Sequence, residues 1–166
     1  MADEQRRVWL ENAMDRWETS LLRTCFAILG DRALAEDAVQ ETFLKAWRAY
    51  GRYQGRAEEK TWVWRIAINT CKDMKKSAWS RHVDISTPLD SLPEGSVPFS
   101  EADDTVTRAV MALNDRLKAP VLLCDMEGMP VSEAAKALRV PRTTVYHRLK
   151  QAHTELKEAL EEWYRE

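Results

Sequence analysis

The sequence is poor in the residues that build metal sites and disulfide frameworks. Its three cysteines, Cys25, Cys71 and Cys124, are odd in number, far apart and not arranged as a CxxC pair. We therefore expect all three to be reduced packing residues, and predict neither a zinc site nor a disulfide framework. The three histidines lie in polar, basic surroundings and give little support to a metal cluster. The sequence thus predicts no metal and no cofactor.

Long apolar runs are also missing. None approaches the roughly 20 residues that a membrane-spanning helix needs. The opening residues, MADEQRRVWLENAM, mix both signs of charge and lack the apolar centre of a signal peptide. We therefore expect no membrane insertion and a cytoplasmic location.

Glycine and proline are scarce, with 5 and 6 of 166 residues, whereas 45% of the chain is apolar and 31% is charged. Long stretches consist of the helix formers Ala, Leu, Glu, Lys and Arg, a composition that predicts an all-α protein. The length allows one ordinary domain or two small ones.

The net charge of −2 conceals three blocks of opposite sign. Residues 42–83 carry ten Lys and Arg against three acids, and residues 136–157 carry six against one. Between them, residues 84–104 carry six acids and no Lys or Arg. Two basic blocks on either side of an acidic stretch indicate two DNA-facing modules on a tether. Charge alone fits ordinary solvated helix faces equally well.

Apolar residues recur at helical spacing along most of the first half. One helix is predicted from residue 10 to Gly30, and Asp31 is expected to cap the next. That second helix buries a face that includes Phe43, and a loop with two glycines precedes a third helix at about 60–79. Three helices around one mixed core make a plausible first domain.

The middle of the chain loses this periodicity. Residues 80–100 gather three prolines, a glycine and several serines, which predicts an extended linker. The helical pattern then resumes, and a helix from about Asn114 to Glu127 is expected to bend at Pro120. The sequence thus predicts two small helical domains, residues 1–79 and 101–166, joined by the linker 80–100.

The stretch 131–149 has the layout of a helix-turn-helix. Ser132 is expected to cap a short first helix, small Ala135 permits a close helix crossing, and Pro141 suits the start of a long second helix. Side chains near the N-terminus of that second helix can meet base edges and phosphates in a major groove. They are Arg142, Thr143, Thr144, Tyr146, His147 and Lys150. A plain helical hairpin fits the same pattern, but the coincident basic block favours DNA binding.

Basic and aromatic residues interleave in the first half: Arg52, Tyr53, Arg56, Lys60, Trp62, Trp64, Arg65, Lys72, Lys75 and Lys76. Cations follow a phosphate backbone and aromatic rings offer surfaces for unstacked bases, so this pattern suits separated strands better than duplex. The alternative, that Trp62 and Trp64 are core residues with basic stems around them, stays open at this point.

Three segments in order resemble one family. Gly30–Trp47 resembles region 2.1–2.2 of the extracytoplasmic-function (ECF, group 4) sigma factors of the sigma-70 family, and Thr61–Lys76 resembles their region 2.3–2.4. Leu113–Leu160 is similar to their region 4. The resemblance covers about residues 8–160. It implies a two-domain sigma factor, without catalytic chemistry, that binds core RNA polymerase, directs it to promoters through −10 and −35 elements, and assists promoter melting.

The resemblance also implies roles for particular residues. The segment that docks on the β′ clamp helices of RNA polymerase matches Asp37, Gln40, Glu41 and Phe43. The loop 51–60 matches the element that captures a base flipped from the −10 element. The full −10 set is Arg52, Tyr53, Arg56, Lys60, Trp62, Arg65, Asn69, Lys72 and Lys76. The −35 set is Arg142, Thr143, Thr144, Tyr146, His147, Arg148 and Lys150.

The implied partners are promoter DNA, core RNA polymerase through its β′ clamp helices and β flap, and an anti-sigma factor that covers polymerase-binding surfaces. Three positions depart from the family pattern. Asn114 stands where Pro is usual, Lys118 where Arg is usual, and Tyr146 where Lys is common; the last bears on the base preference at −35.

Two other classes of function fit parts of the sequence. A stand-alone helix-turn-helix regulator, acting without polymerase, leaves residues 31–76 unexplained. An enzyme could hold a metal on the helix face that carries Glu36, Asp37 and Glu41, but no His or further carboxylate recurs at the spacing of a helix-bundle metal site.

Overall fold

A computed structural model describes residues 2–80 and 104–165. Almost all of the predicted linker, residues 80–100, lies outside these ranges. Within the two described ranges the regular elements are helices and no strand occurs, which confirms the all-α prediction. The elements are α1 (Ala2–Leu29), α2 (Arg32–Ala49), a 3₁₀ turn (Tyr50–Arg52), α3 (Glu59–Ser80), α4 (Asp104–Ala112), α5 (Asp115–Pro120), a π-helical turn (Val121–Met126), α6 (Val131–Leu138) and α7 (Arg142–Arg165).

The chain divides into two compact units, Met1–Pro98 and Phe99–Glu166. The division falls within residues 81–103, outside the part of the chain that the structure describes. The predicted boundaries at residues 79 and 101 therefore stay a prediction.

The first unit is a bundle of α1, α2 and α3 around a mixed apolar core. Trp64 of α3 is fully buried, and its ring meets Trp17 of α1 edge-on at 6.1 Å. Trp64 Nε1 donates a hydrogen bond to Thr24 Oγ1 at 3.1 Å. The indole thus fills the centre of the bundle without leaving its polar atom unpaired, as buried polar groups require.

The connection between α1 and α2 follows the sequence prediction closely. Gly30 ends α1 in the left-handed conformation, at φ +71°, and its N–H donates to Phe26 O at 2.8 Å. Asp31 caps α2 by accepting a hydrogen bond from the Leu34 N–H at 2.9 Å. Glycine tolerates a positive φ and aspartate satisfies an unpaired helical N–H, so this two-residue junction is explained by local chemistry.

In the second unit, α4, α5 and α6 all pack on α7. The single bent helix predicted over Asn114–Glu127 is instead an α-helix that changes into a π-helical turn immediately after Pro120. Proline lacks an N–H and its ring crowds the preceding turn, so the regular α-helical ladder is interrupted there. The wider turn is visible in the 3.1 Å bond from the Glu127 N–H to Leu122 O, five residues earlier.

Several local predictions were wrong. Helix α6 begins at Val131 after Pro130, so Ser132 lies inside the first turn and does not cap it. Helix α1 begins at Ala2 instead of near Leu10. Met14 and Val106 stand at the helical spacing of apolar residues, which predicts that they face inward, but both are exposed, and Thr107 is buried beside Val106 in place of that valine.

Candidate nucleic-acid interface

Helix α7 separates into an inner face and an outer face near its N-terminus. Val145, Leu149 and Ala152 are buried, and they anchor the helix to the rest of the second unit. The outer face carries five of the residues predicted for −35 recognition as exposed side chains: Arg142, Thr143, Tyr146, His147 and Lys150. The other two, Thr144 and Arg148, are half-buried. Tyr146 is 62% exposed, so its ring and hydroxyl are open to solvent.

A groove runs between α6 and the start of α7. Its lining residues are Ser132, Ala135, Lys136, Arg139, Val140 and Arg142. Three of these are basic, and Arg139 occupies the left-handed conformation at the end of α6, with φ 57°. The sequence analysis did not single out Lys136 or Arg139 as interface residues. The sequence feature that could have identified them is the positive charge that each adds near the N-terminus of α7, where a phosphate is favoured.

Helix α3 carries a single outward stripe of predicted −10 residues. The five positions are three or four apart and so lie on one side of the helix: Trp62, Arg65, Asn69, Lys72 and Lys76. Asn69, Lys72 and Lys76 are exposed, whereas Trp62 and Arg65 are half-buried. At 1.5 Å per residue the stripe is about 21 Å long. Its N-terminal end is aromatic and its C-terminal end is cationic.

The loop between the 3₁₀ turn and α3 is bordered by an aromatic cluster, defined here as Trp9, Tyr50, Tyr53 and Trp62. Trp9 stacks on Tyr50, with centroids 4.5 Å apart and planes at 23°, and lies 5.9 Å from Trp62. Tyr53 lies 5.2 Å from Trp62 and its hydroxyl donates to the carbonyl of Ala57. All four rings are half-buried, so each keeps some surface open to solvent. The sequence analysis missed Trp9 and Tyr50.

The choice left open for the two tryptophans of α3 is resolved by burial. Trp64 is a core residue and offers no surface to a base. Trp62 is half-buried and lies on the outward stripe. The ammonium of Lys60 lies 5.2 Å from the centroid of the Trp64 ring, in the geometry of a cation–π contact. Arg52 and Arg56 are exposed at the loop, and Tyr53 and Lys60 are half-buried.

Helix α2 has an acidic face, defined here as Asp37, Gln40 and Glu41. Asp37 and Gln40 are exposed and Glu41 is half-buried. Phe43, predicted with them, is only 4% exposed and packs in the core, so the free chain does not offer it as a surface contact. Two exposed leucines, Leu34 and Leu44, lie on the same side of the helix as the acidic face. The sequence analysis did not identify these leucines.

The three cysteines are unpaired in the structure. Cys25 and Cys71 are buried, and a hydrogen bond with Cys71, together with burial, holds the pKa of the Cys25 thiol far above its ordinary range. Burial, with a smaller contribution from the charge of Asp125, also raises the pKa of Cys124. Such thiols are poor nucleophiles, because the thiolate is the reactive form.

Within residues 2–80 and 104–165, no three His, Cys, Asp or Glu side chains come together as a group that could hold a metal ion. Over the same ranges, no helix is both long enough and apolar enough to cross a bilayer.

Comparisons with known proteins identify two sigma-70 regions in the chain. Residues 13–81 match the family model of sigma-70 region 2, and residues 103–156 match that of sigma-70 region 4. The RNA polymerase sigma-H factor of Pseudomonas aeruginosa is 27% identical over 165 residues, covering 91% of this chain and 86% of that protein. The ECF RNA polymerase sigma factor SigW of Bacillus subtilis is 23% identical over 161 residues, covering 89% and 86%.

Two solved structures share the fold. CnrH, solved in complex with the cytosolic domain of CnrY, superimposes with a TM-score of 0.71 at 18% identity, covering 96% of this chain and 94% of its own. The sigma factor RpoE of Bartonella quintana, solved with the anti-sigma factor NepR, gives a TM-score of 0.71 at 21% identity, covering 91% and 98%.

Proposed function

The chain belongs to the sigma-70 family of RNA polymerase sigma factors, and from this premise we propose that it is an ECF sigma factor. In this role it binds core RNA polymerase, directs the enzyme to promoters with particular −10 and −35 elements, and assists melting of the DNA. The proposal assigns it no catalytic chemistry, no cofactor and a cytoplasmic site of action. The division into two domains at about residues 79 and 101 is part of the proposal.

One observation carries the proposal: each of the two matched regions presents its own exposed cationic face. In the first region this is the stripe along α3, and in the second it is the outer face of α7. A stand-alone regulator needs only the second. The match of residues 13–81 to sigma-70 region 2 accounts for the part of the chain that such a regulator leaves unexplained.

At the −10 element, the lysines at the C-terminal end of the α3 stripe contact the phosphate backbone of the separated strand. The loop beside the aromatic cluster receives a base that has left the stack. Extrusion of a base costs a few kcal/mol, which pocket contacts and stacking must return. Each stacked base can return about 1–3 kcal/mol. Half-buried rings such as Trp62 and Tyr53 have the open surface that this stacking needs.

At the −35 element, α7 enters the major groove with Arg142, Thr143, Tyr146 and His147 toward base edges. Lys150 and the basic groove residues Lys136 and Arg139 meet the flanking phosphates, which fix the register without reading sequence. Tyr146 brings a hydroxyl and a ring to a position where the family resemblance leads us to expect lysine, so we propose that it shifts the base preference at one position of this element.

The acidic face of α2, flanked by Leu34 and Leu44, docks on the β′ clamp helices, and the second unit contacts the β flap. Charge complementarity steers such an encounter, while exposed apolar side chains beside the charges bury surface once it is made. Two proteins of the same fold were solved with CnrY and with the anti-sigma factor NepR. We propose that this chain likewise has an anti-sigma factor, which covers its polymerase-binding surfaces.

The test is reconstitution with core RNA polymerase. The full-length chain is expected to co-purify with the core enzyme and to give it start sites that the core enzyme alone does not use, as read by sequencing the transcripts made in vitro on fragmented genomic DNA. A chain that neither binds the core enzyme nor changes its start sites would overturn the proposal. Specific footprints on duplex DNA by the free chain would favour the stand-alone regulator.

A further inference from the structure

The first turns of α1 lie outside the region that matches the family. The match to sigma-70 region 2 begins at residue 13, yet α1 is continuous from Ala2. Residues before the match nevertheless make specific contacts with the far end of α2. The guanidinium of Arg6 lies 5.3 Å from the centroid of the Trp47 ring, and Trp9 joins the aromatic cluster. This segment therefore packs against the rest of the first unit.

Trp9 contacts both ends of the loop that separates the 3₁₀ turn from α3. On one side it stacks on Tyr50, the first residue of the 3₁₀ turn, at 4.5 Å. On the other side its Nε1 donates a 3.1 Å hydrogen bond to Oε2 of Glu59, the first residue of α3. A single side chain from α1 thus fixes the separation of the two loop ends.

The loop itself, residues 53–58, is exposed along most of its length. Gly55 adopts φ +71°, and all of residues 54, 55, 56 and 58 are exposed. Tyr53 makes three contacts here: its N–H donates to Tyr50 O at 3.1 Å, its hydroxyl donates to the Ala57 carbonyl, and its ring lies against Trp62. Trp62 also contacts Trp9. Trp9 therefore links the two ends of the loop to each other and to Trp62, which in turn contacts Tyr53 in the loop.

We infer that Trp9 is a positioning residue for base capture: it holds loop 53–58 open in its receptive shape before DNA arrives, and does not itself touch the base. A loop that is already ordered does not pay ordering entropy when a base enters, so affinity for the extruded base rises. This inference rests on the proposed function, since it gives that function a preorganised −10 loop.

The inference makes a selective prediction. Only a template whose −10 base fits the loop gains from an ordered loop, whereas a template with the wrong base gains nothing. Replacing Trp9 should therefore slow initiation on the preferred −10 sequence without slowing it on the others. Base discrimination at −10 falls, while base discrimination at −35, which is read by the second unit, stays the same.

The experiment uses core RNA polymerase with the full-length chain, and templates that carry each of the four base pairs at each −10 position or at each −35 position of a promoter found by start-site mapping. The readout is the rate of open-complex formation. Trp9→Ala is expected to lower the discrimination ratio at one −10 position about three- to tenfold, the range expected for loss of an aromatic pair. Trp9→Phe keeps a ring that can stack on Tyr50 but loses the N–H that bonds Glu59, so it should lose less discrimination than Trp9→Ala and about as much as Glu59→Ala.

Two further variants separate positioning from general destabilisation. Trp17→Phe alters a core indole on the same helix and should leave −10 discrimination within about twofold of wild type, whatever its effect on thermal unfolding. Glu59→Ala removes the acceptor of the Trp9 bond. Because both substitutions break the same link, the double variant Trp9→Ala/Glu59→Ala should discriminate no worse than Trp9→Ala alone.

Equal loss of discrimination at −10 and −35 in Trp9→Ala, or the same −10 loss in Trp17→Phe, would overturn the inference, as would unchanged discrimination in Trp9→Ala. If the wild-type chain itself supports no promoter-dependent initiation, the proposed function is wrong, and the inference that rests on it is wrong as well. That outcome is read on the wild-type protein, so the two failures are distinguishable.

Discussion

The buried indole of Trp64 depends on a single hydroxyl. Thr24 Oγ1 accepts its N–H at 3.1 Å and itself donates to Ser20 O at 3.2 Å. Thr24→Val keeps the shape of the side chain but leaves the indole N–H buried without an acceptor. We expect the free energy of unfolding to fall by about 1–3 kcal/mol, measured by urea denaturation followed by far-UV circular dichroism.

Thr24→Ser is the matched control, because it keeps the hydroxyl and removes only a methyl group. Its loss of stability should be smaller than that of Thr24→Val. A serine variant less stable than the valine variant would show that packing of the methyl group, and not the hydrogen bond, matters at this position.

The thiols of Cys25, Cys71 and Cys124 should differ in accessibility but share low reactivity. Cys25 and Cys71 are buried, and Cys124 is half-buried with a raised pKa. A raised pKa leaves less thiolate at a given pH, so labelling should be slow at neutral pH and accelerate as the pH rises toward the pKa of the thiol. We expect Cys124 to react first with a thiol reagent in the native protein. Cys124→Ser should remove that first phase; a fast phase that survives the substitution would contradict the assignment.

The residues also show what sequence reasoning could and could not reach. Trp64 shares a helix face with Ala67, Ile68 and Cys71, whereas Trp62 does not, so helical spacing alone could have placed the first in the core. Trp9 could not have been found this way. Its partners Tyr50 and Glu59 are far along the chain, and only the packing of α1 brings them together.

On the scale of elements, the acidic face of α2 permits a charge-reversal test. The double variant Asp37→Lys/Glu41→Lys is expected to weaken binding to core RNA polymerase about tenfold or more while leaving helicity unchanged, because neither side chain is part of the core. Binding would be measured by competition against the wild-type chain for a limiting amount of core enzyme.

The matched control for α2 is Asp15→Lys/Glu18→Lys, which makes the same charge change on exposed positions of α1. It should compete as well as the wild-type chain. Equal weakening by the two double variants would mean that net charge, and not the acidic face, governs the affinity for polymerase.

Two elements of the second unit are followed by a residue in the left-handed conformation, which is an arginine in one case and a glycine in the other. Arg139 has φ 57° and Gly128 has φ +71°. Arg139→Gly should relieve backbone strain and raise the unfolding free energy by up to about 1 kcal/mol, whereas Gly128→Ala should lower it by about 1 kcal/mol. No atom lies within 4 Å of a Cβ added at Gly128, so the second effect isolates backbone conformation.

Thermal unfolding of both variants measures these two effects, and changes of the same sign would refute the assignment of strain.

The helix-turn-helix pattern predicts a turn before Pro141 but not the conformation of Arg139 within it, since positive φ is normally inferred from glycine. The sequence also predicts a bend at Pro120. The π-helical turn that follows was not predicted, because a proline predicts that the helix is interrupted but not which hydrogen-bond pattern replaces it.

For the molecule as a whole, the distribution of charge predicts how the free chain meets DNA. The six acids of residues 84–104 counteract two basic blocks. Replacing these acids by their amides should strengthen DNA binding by the polymerase-free chain several-fold at about 0.05 M salt. At about 0.5 M salt the effect should vanish, because screening shortens the range of the interaction.

The charge-preserving control exchanges Asp and Glu within the same stretch, and its DNA affinity should equal that of the wild-type chain at every salt concentration. A gain from the amide variant that persists at high salt would contradict a purely electrostatic effect. Filter binding or fluorescence anisotropy over a salt series provides the measurement.

The architecture was more predictable than the local geometry. Period and composition predicted helices in both halves, since amphipathic spacing is a property of the sequence itself. Charge blocks, with the family resemblance, pointed to the two faces on α3 and α7. Burial corrected the details: Phe43 lies inside, Leu34 and Leu44 lie outside, and Trp9 contacts the loop. Each depends on neighbours from another helix, which a one-dimensional pattern does not contain.

The placement of the indoles gives the molecule an internal optical readout. Of the seven tryptophans, Trp17 and Trp64 are buried, so their emission should be blue-shifted and insensitive to added nucleic acid, whereas Trp9 and Trp62 are half-buried and lie beside the loop. The readout therefore uses a variant in which the other three tryptophans are replaced by phenylalanine. A nucleobase arriving there would quench the red edge of the spectrum and leave the blue edge as a reference. Melting of a promoter could then be timed in a stopped-flow instrument with no dye attached.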